Sequence, residues 1–232
     1  MKPFLPILLL AIISINPVVA QKKDAFKSEF YLGVGGGAMS TSLDFMPTIQ
    51  QAFMMGVKGG ISTKVITEKH LGLVAEVNYA KRGWTEEFDP ELDFSYSRTL
   101  DYLEIPVLTH IYFGKKLRFI VNAGPQISIL LNDKQTMSQA LADDIAEKQA
   151  ADPEAPIGVQ YSSSDALKKF DYGLTGGAGL ELKMGRGNLN LEGRYYFGLG
   201  DLFESRRSQN AYFSRSAHRL IEAKLTYYIQ IR

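Results

Sequence analysis

The sequence contains no cysteine. That absence excludes disulfide bonds, thiolate catalysis, cysteine zinc sites and a lipid-modified cysteine anchor. An excess of either charge is also missing, because 26 lysines and arginines stand against 25 aspartates and glutamates, for a net charge of +1. No basic run exceeds two residues, so the chain lacks the concentrated positive field that nucleic-acid binding requires.

Long hydrophobic runs are nearly absent as well. The one continuous apolar stretch, residues 4–15, follows a lysine and precedes a small-residue site of the A-x-A type at 18–20. It is short for a membrane-spanning helix but typical of a secretory signal peptide, and an uncleaved anchor helix is the alternative. We predict a cleaved signal peptide over residues 1–20, cleavage before Gln21, and one domain over residues 21–232.

What the sequence does contain is alternation of apolar and polar residues over about eight stretches of roughly ten residues each. In residues 98–113, for example, Leu103, Ile105 and Val107 share one face of an extended strand, whereas Glu104 lies on the other. The connections between these stretches alternate between short and long. This combination is typical of a transmembrane β-barrel.

The predicted strands are all of similar length. They cover about 28–40, 52–64, 70–82, 98–113, 117–131, 169–184, 187–200 and 216–231. The long connections cover 41–51, 83–97, 132–168 and 201–215. Barrels of the outer membrane place short turns in the periplasm and long loops outside. We therefore predict an all-β fold, a transmembrane antiparallel up-and-down β-barrel of about eight strands, located in the cell outer membrane.

The segment 132–168 is too long for a plain loop. Met137, Leu141 and Ile145 recur within it at helical spacing, ahead of Asp152 and Pro153. We predict a short amphipathic helix in this extracellular loop. It could cap the mouth of the barrel, bind a partner or form a mobile insertion.

The two faces of the strands differ in polarity. One face is mostly apolar, as in Leu71, Leu73 and Val77 of the third strand and Ile221 and Leu225 of the last. A soluble lipocalin-like barrel would turn such a face inward, whereas a membrane barrel turns it toward lipid. The opposite face collects acids and bases in equal number, which we predict to form a charge-neutralised network filling the lumen. Its members are Lys58, Glu76, Glu104, Arg118, Glu181, Lys183, Glu192, Arg194, Glu222 and Lys224.

Aromatic residues cluster at the predicted strand ends. We predict that they form the two girdles seen at the membrane interfaces of such barrels. The outer set is Trp84, Tyr195, Tyr196 and Phe197, and the periplasmic set is Tyr112, Phe113, Tyr227 and Tyr228.

Pro106 and Pro125 lie in neighbouring predicted strands, at similar distances from the turn at 114–116. Proline cannot donate a ladder hydrogen bond, so a strand paired on both sides should not contain one. We predict a bulge or a local gap in the pairing there.

Three motifs follow one another in a characteristic order: E-x-N-Y-x-x-R-G-W from Glu76, L-D-Y-L-E-I-P from Leu100, and N-x-G-P from Asn122. In these motifs, and across nearly all of residues 21–232, the chain resembles the PorT family of outer-membrane β-barrel proteins. The resemblance implies an outer-membrane location and a connection with type IX protein secretion in Gram-negative bacteria. The C-terminal Ile229-Gln230-Ile231-Arg232 departs from the terminal aromatic residue common in other outer-membrane barrels.

We therefore expect a non-enzymatic protein that supports secretion or envelope assembly through its loops and rims, in contact with outer-membrane lipid and envelope or secretion proteins. We expect no catalytic residue, cofactor or metal site. A small pore or ligand-binding barrel is the first alternative. The second is a lipid-modifying enzyme, for which His218 with Ser214 or Ser216 is the best placed group.

Overall fold

The computed structural model describes residues 26–152, 168–203 and 214–231. The predicted signal peptide lies outside these residues. Eight long strands dominate the described chain: β1 (Glu29–Met46), β3 (Met54–Glu68), β4 (Leu71–Glu86), β5 (Tyr96–Gly114), β6 (Leu117–Met137), β7 (Phe170–Met184), β8 (Gly187–Gly198) and β9 (Arg215–Gln230). They are joined by a two-residue strand, β2 (Gln51–Ala52), and one helix, α1 (Gln139–Ala151). No helix of the described residues is both long and apolar enough to cross a membrane.

Each long strand pairs antiparallel with its neighbours, in the order β4-β3-β1-β9-β8-β7-β6-β5, and pairing of β4 with β5 closes the sheet into a barrel. The strand β2 extends this sheet at one edge of β4. The predicted fold class is thereby confirmed. Closure matters because hydrocarbon offers no hydrogen-bond partners to an open sheet edge. Below, the long-loop end is the end that carries the connections β1–β3, β4–β5, β6–β7 and β8–β9, and the short-turn end is the opposite one.

Close strand approach explains one of the repeated glycines. A Cβ atom at Gly37 would lie 2.2 Å from the backbone oxygen of Ala223 on the adjacent strand. Any side chain at this position would therefore push β1 away from β9.

The predicted irregularity at the two prolines is confirmed as a gap in both ladders of β5. Its pairing with β6 runs up to Pro106 opposite Gln126 and resumes at Thr109 opposite Ala123 in the same register. On the other side, its pairing with β4 is interrupted between Ala75 and Asn78. The missing N–H of proline accounts for the interruption, and the unchanged register shows that no residue is inserted.

The apolar side chains of the middle of each strand point away from the barrel. Leu73, Leu191 and Leu225 are 46%, 57% and 50% exposed, whereas the buried positions between them are mainly polar or charged. A lipocalin-like interior would show the reverse. The exposed apolar band matches a lipid-facing surface.

Several strands extend further at the long-loop end than the sequence predicted, since β1 reaches Met46 and β6 reaches Met137. In the extension of β1 the polarity of the two faces inverts. Leu43 and Phe45 point inward and are buried, whereas Asp44 between them faces outward. At the long-loop end β1 therefore follows the pattern of a water-soluble barrel, whereas its middle follows that of a membrane barrel.

The prediction of the aromatic girdles is wrong for half of its members. Tyr195, Phe197, Phe113 and Tyr227 face outward. The other four point into the barrel and are buried: Trp84, Tyr112, Tyr196 and Tyr228. Successive side chains of a strand point to opposite faces, so adjacent aromatics such as Tyr195 and Tyr196 cannot share the lipid surface.

An apolar cluster, here called the cap, closes the long-loop end. Its buried members are Leu43, Phe45, Trp84, Tyr96, Leu100, Tyr102, Leu141, Leu202 and Phe203. The ring of Trp84 meets those of Phe45 and Phe203 edge to face, at centroid distances of 5.6 and 6.2 Å.

The predicted helix contributes directly to the cap. Helix α1 begins after Ser138, whose side chain accepts a hydrogen bond from the Leu141 backbone N–H. Leu141 is 1% exposed within the cap, and Ile145 one turn later packs against it. Of the three roles left open by the sequence, these contacts support capping of the mouth.

The depth of the apolar band can be tested with one substitution at two heights on β9. We expect Leu225→Arg, in the middle of the band, to lower the free energy of unfolding by about 2–4 kcal/mol, because it places a cation at the bilayer midplane. Ile231→Arg, on the same face beyond the end of the strand, should cost at most about 1 kcal/mol. Urea titrations in lipid vesicles measure both, and equal losses would contradict the assignment.

The role of α1 can be tested through the single tryptophan of the chain. Leu141→Asp introduces a charge into the cap, so we expect it to detach the helix and shift the emission of Trp84 to the red as water enters. Ala146→Asp, on an exposed position of the same helix, is the matched control. An unchanged spectrum for Leu141→Asp would show that α1 does not close the mouth.

Candidate functional site

The interior of the barrel below the cap is crowded with charge. Among the described residues below the cap, six lysines and arginines and six acids are buried. They are Lys58, Lys64, Arg82, Arg118, Arg194 and Lys224, with Glu76, Glu104, Asp171, Glu181, Glu192 and Glu222. Burial of so many ions requires that they neutralise one another.

The central layer is built around Glu76 of β4. Its carboxylate lies 2.9 Å from Arg194 of β8 and 2.5 Å from Lys224 of β9, so three strands are joined across the lumen. Arg194 also lies 2.5 Å from Glu192 on its own strand. All four side chains are buried.

The next layer lies toward the cap. Lys58 of β3 bridges Glu104 and Glu222, at 2.9 and 2.5 Å. Arg82 of β4 then bridges Glu104 and Asp171, at 3.3 and 2.7 Å. This layer therefore joins β3, β4, β5, β7 and β9.

Aromatic groups connect this layer to the cap. The guanidinium of Arg82 lies 3.7 Å from the ring centre of Tyr102, a member of the cap. The hydroxyl of Tyr196 donates a hydrogen bond of 3.1 Å to Asp171. The ionic interior and the apolar mouth are thus packed against each other.

The third layer lies at the short-turn end. Glu181 of β7 pairs with Lys64 of β3 and, at 2.9 Å, with Arg118 of β6. The ammonium of Lys64 lies 4.4 Å from the ring centre of Tyr228. Cation–π contacts of this kind help to stabilise desolvated cations.

An amide links the third layer to the central one. Asn122 donates a hydrogen bond of 2.9 Å to Glu192, and its oxygen lies 2.7 Å from Nδ1 of His110. Charges and hydrogen bonds therefore follow one another from the short-turn end to the cap.

Nine of the ten lumen charges named from the sequence lie buried in these layers. Lys183 does not. It shares the inward face of β7 with Glu181, but it stands at the very end of the strand, is half-buried, and forms no ion pair with a described carboxylate.

The sequence-based selection missed three residues that join the layers, namely Lys64, Arg82 and Asp171. The signal was present, because Lys64 lies an even number of residues from Lys58, and Arg82 from Glu76. Both residues stand at the ends of the predicted strands. The alternation itself places them on the charged face.

The histidine considered for catalysis lies inside the barrel. His218 is 1% exposed, and its ring meets that of Tyr102 edge to face at 5.7 Å. Neither ring nitrogen hydrogen-bonds a described group. Ser216 accepts a hydrogen bond from the Phe203 backbone N–H, and Ser214 donates one to the carbonyl oxygen of Met46. No serine–histidine hydrogen bond forms among these residues.

The apolar outer band, closed sheet and charged interior define the class: a transmembrane β-barrel of the bacterial outer membrane. Residues 19–204 match the family model described as outer membrane protein beta-barrel domain, and the chain belongs to this family. It therefore lies in the outer membrane in contact with lipid, with its short-turn end in the periplasm and its long loops outside.

Solved structures show more distant similarity. OprG of Pseudomonas aeruginosa is 9% identical, with a TM-score of 0.49, over 88% of this chain and 94% of that one. The attachment invasion locus protein Ail of Yersinia pestis is 7% identical, with a TM-score of 0.46, over 89% of this chain and 100% of that one. None of the curated proteins compared with the chain matches it. At these identities the similarity does not extend to function.

The central layer can be tested by removing its shared carboxylate. We expect Glu76→Gln to lower the free energy of unfolding by about 3–5 kcal/mol, because Arg194 and Lys224 keep their charges in a buried site. Asp144→Asn breaks the exposed pair with Lys148 of α1 and should cost under about 1 kcal/mol. Denaturant titrations that give equal losses would show that the interior is hydrated like a surface.

Proposed function

We propose that this protein is a non-enzymatic scaffold of the outer membrane that supports protein secretion of the type IX kind, or envelope assembly, through its loops and rims. The observation that carries the proposal is the closed interior. Side chains fill the lumen from Lys64 near the periplasmic end to Arg82 below the cap, so the surfaces left for partners are the two ends.

The outer end supports this function because α1 provides a fixed surface there. The cap holds α1 in place through Leu141, while the opposite side of the helix exposes Asp143 and Glu147. A fixed helix with a charged outer side offers a partner a preformed contact surface and reduces the entropy lost on binding.

The resemblance to the PorT family favours secretion among the possible scaffold roles. The motif around Glu76 supplies the central carboxylate together with Arg82 and Trp84, and the motif around Leu100 supplies Glu104. These motif residues form the ion-pair layers and the cap. They therefore support a barrel interior like that of the PorT family. The secretion role itself rests on the family resemblance.

The catalytic alternative is disfavoured by the position of His218, which is enclosed between the cap and Arg82. A lipid-modifying enzyme needs its acid–base group at the lipid surface, within reach of a nucleophile. The pore alternative is disfavoured by the three ionic layers, because a permeating ion would have to separate buried pairs.

Deletion of the gene, followed by measurement of exported proteins in the medium, tests the scaffold role. We expect secretion or envelope integrity to fall, and complementation with the wild type to restore it. Complementation with Leu141→Asp should restore less than complementation with Ala146→Asp, because only the former releases α1. Unaltered secretion together with an intact envelope in the deletion strain would refute the proposal.

Single-channel recording in planar bilayers tests the pore alternative. We expect no reproducible openings from the wild-type protein, since buried ion pairs of three layers cross its lumen. Regular openings at moderate voltage would contradict the scaffold role and favour a pore.

A further inference from the structure

The two ends of the barrel carry opposite charge. Outside, the connection between β4 and β5 exposes four acids: Glu87, Asp89, Glu91 and Asp93. In the periplasm, the turn between β5 and β6 exposes Lys115 and Lys116, and the turn between β7 and β8 exposes Arg186. Neither of these two turns contains an acid.

The three periplasmic cations form one patch because their turns are neighbours. The strands β6 and β7 pair as far as Leu117 opposite Leu182, and the backbone N–H of Lys183 then donates a hydrogen bond of 2.9 Å to the carbonyl oxygen of Lys116. Lys183 adds a fourth, half-buried cation beside the patch. Lys115, Lys116 and Arg186 are called the periplasmic basic patch below.

The patch has no carboxylate partner among the described residues. The acids described at this end, Glu29 and Glu68, belong to β1 and β3, and Glu29 accepts a hydrogen bond from Tyr31. The patch thus differs from the cations of the lumen, because each ion-pair layer of the lumen contains acids that neutralise its cations.

The position of the patch relative to the apolar band indicates what it binds. Phe113 and Leu117 flank the lysine pair on the lipid-facing surface, at 54% and 57% exposure, and Met184, at 51%, precedes Arg186 by two residues. A strand advances about 3.3 Å per residue, so the cations lie within a few ångströms of the edge of the hydrocarbon. Phospholipid headgroups occupy this level of the bilayer.

We infer that the periplasmic basic patch is a binding site for anionic phospholipid of the inner leaflet. The headgroup phosphate contacts the cations, while the acyl chains lie along the exposed side chains of Phe113, Leu117 and Met184. Each basic residue near a membrane surface favours anionic lipid by about fivefold. At the other end the connection between β4 and β5 is acidic, so the rim selective for anionic lipid is the one that faces the periplasm.

Spin-labelled lipids test this inference with the full chain reconstituted in phosphatidylcholine vesicles. The probes are phosphatidylglycerol and phosphatidylcholine with the same label on the acyl chain, and the measurement is the motionally restricted fraction of each. We expect the wild type to prefer phosphatidylglycerol by at least about fivefold, which is the effect of one basic residue near the surface. Raising the salt concentration should remove most of the preference, because exposed charges are screened.

The triple variant Lys115→Gln, Lys116→Gln and Arg186→Gln locates the effect. We expect it to lose the preference, whereas Lys134→Gln, Lys148→Gln and Lys169→Gln, which remove three exposed cations from the outer end, should keep it. Migration of unheated samples in gels confirms that each barrel is folded. Equal restriction of both probes by the wild type, or the same loss in both variants, would overturn the inference and leave an acidic periplasmic protein as the occupant.

Discussion

Charge neutrality inside a closed barrel is the constraint on which the rest of this structure depends. The apolar surface of each strand faces lipid, so the polar side chains have nowhere to go but the lumen. A narrow lumen cannot hydrate them, and an unpaired ion there would be costly. Among the described residues below the cap, equal numbers of buried acids and of buried lysines and arginines satisfy this condition, and shared partners such as Glu76 and Glu104 distribute the compensation over several strands. A filled interior is the result.

The barrel consists of two stacked parts that obey opposite rules. In the lipid-embedded part, leucines face outward and ions face inward. Above it, where water surrounds the strands, Leu43 and Phe45 face inward and Asp44 faces outward. The boundary between the two parts runs through Arg82 and Tyr102, where a guanidinium lies on an aromatic ring. This contact lets an ionic layer meet an apolar one without leaving the cation unpaired, because Arg82 also pairs with Glu104 and Asp171.

Much of this could be predicted from sequence because the side chains of a strand alternate with a period of two. The number of strands, the lipid-facing rows and the position of the proline gap follow from that period and from the missing N–H of proline. The pairing of specific charges does not, since it depends on which strands face each other across the lumen, as for Glu76 with Arg194. The prediction of the aromatic positions was wrong for another reason. A position near a strand end predicts the membrane interface for Trp84 and Tyr196, whereas the alternation assigns both side chains to the interior. The cap was hidden because its members come from five separate segments.

The inversion of polarity has a consequence for how the protein stays in the membrane. Once the extended strand ends have crossed to the outside, their apolar side chains collapse with Leu141 of α1 into a core. Sliding back would require this core to be taken apart and the charges of α1 to pass through hydrocarbon. The cap therefore opposes withdrawal of the strands from the outer side, without any covalent cross-link.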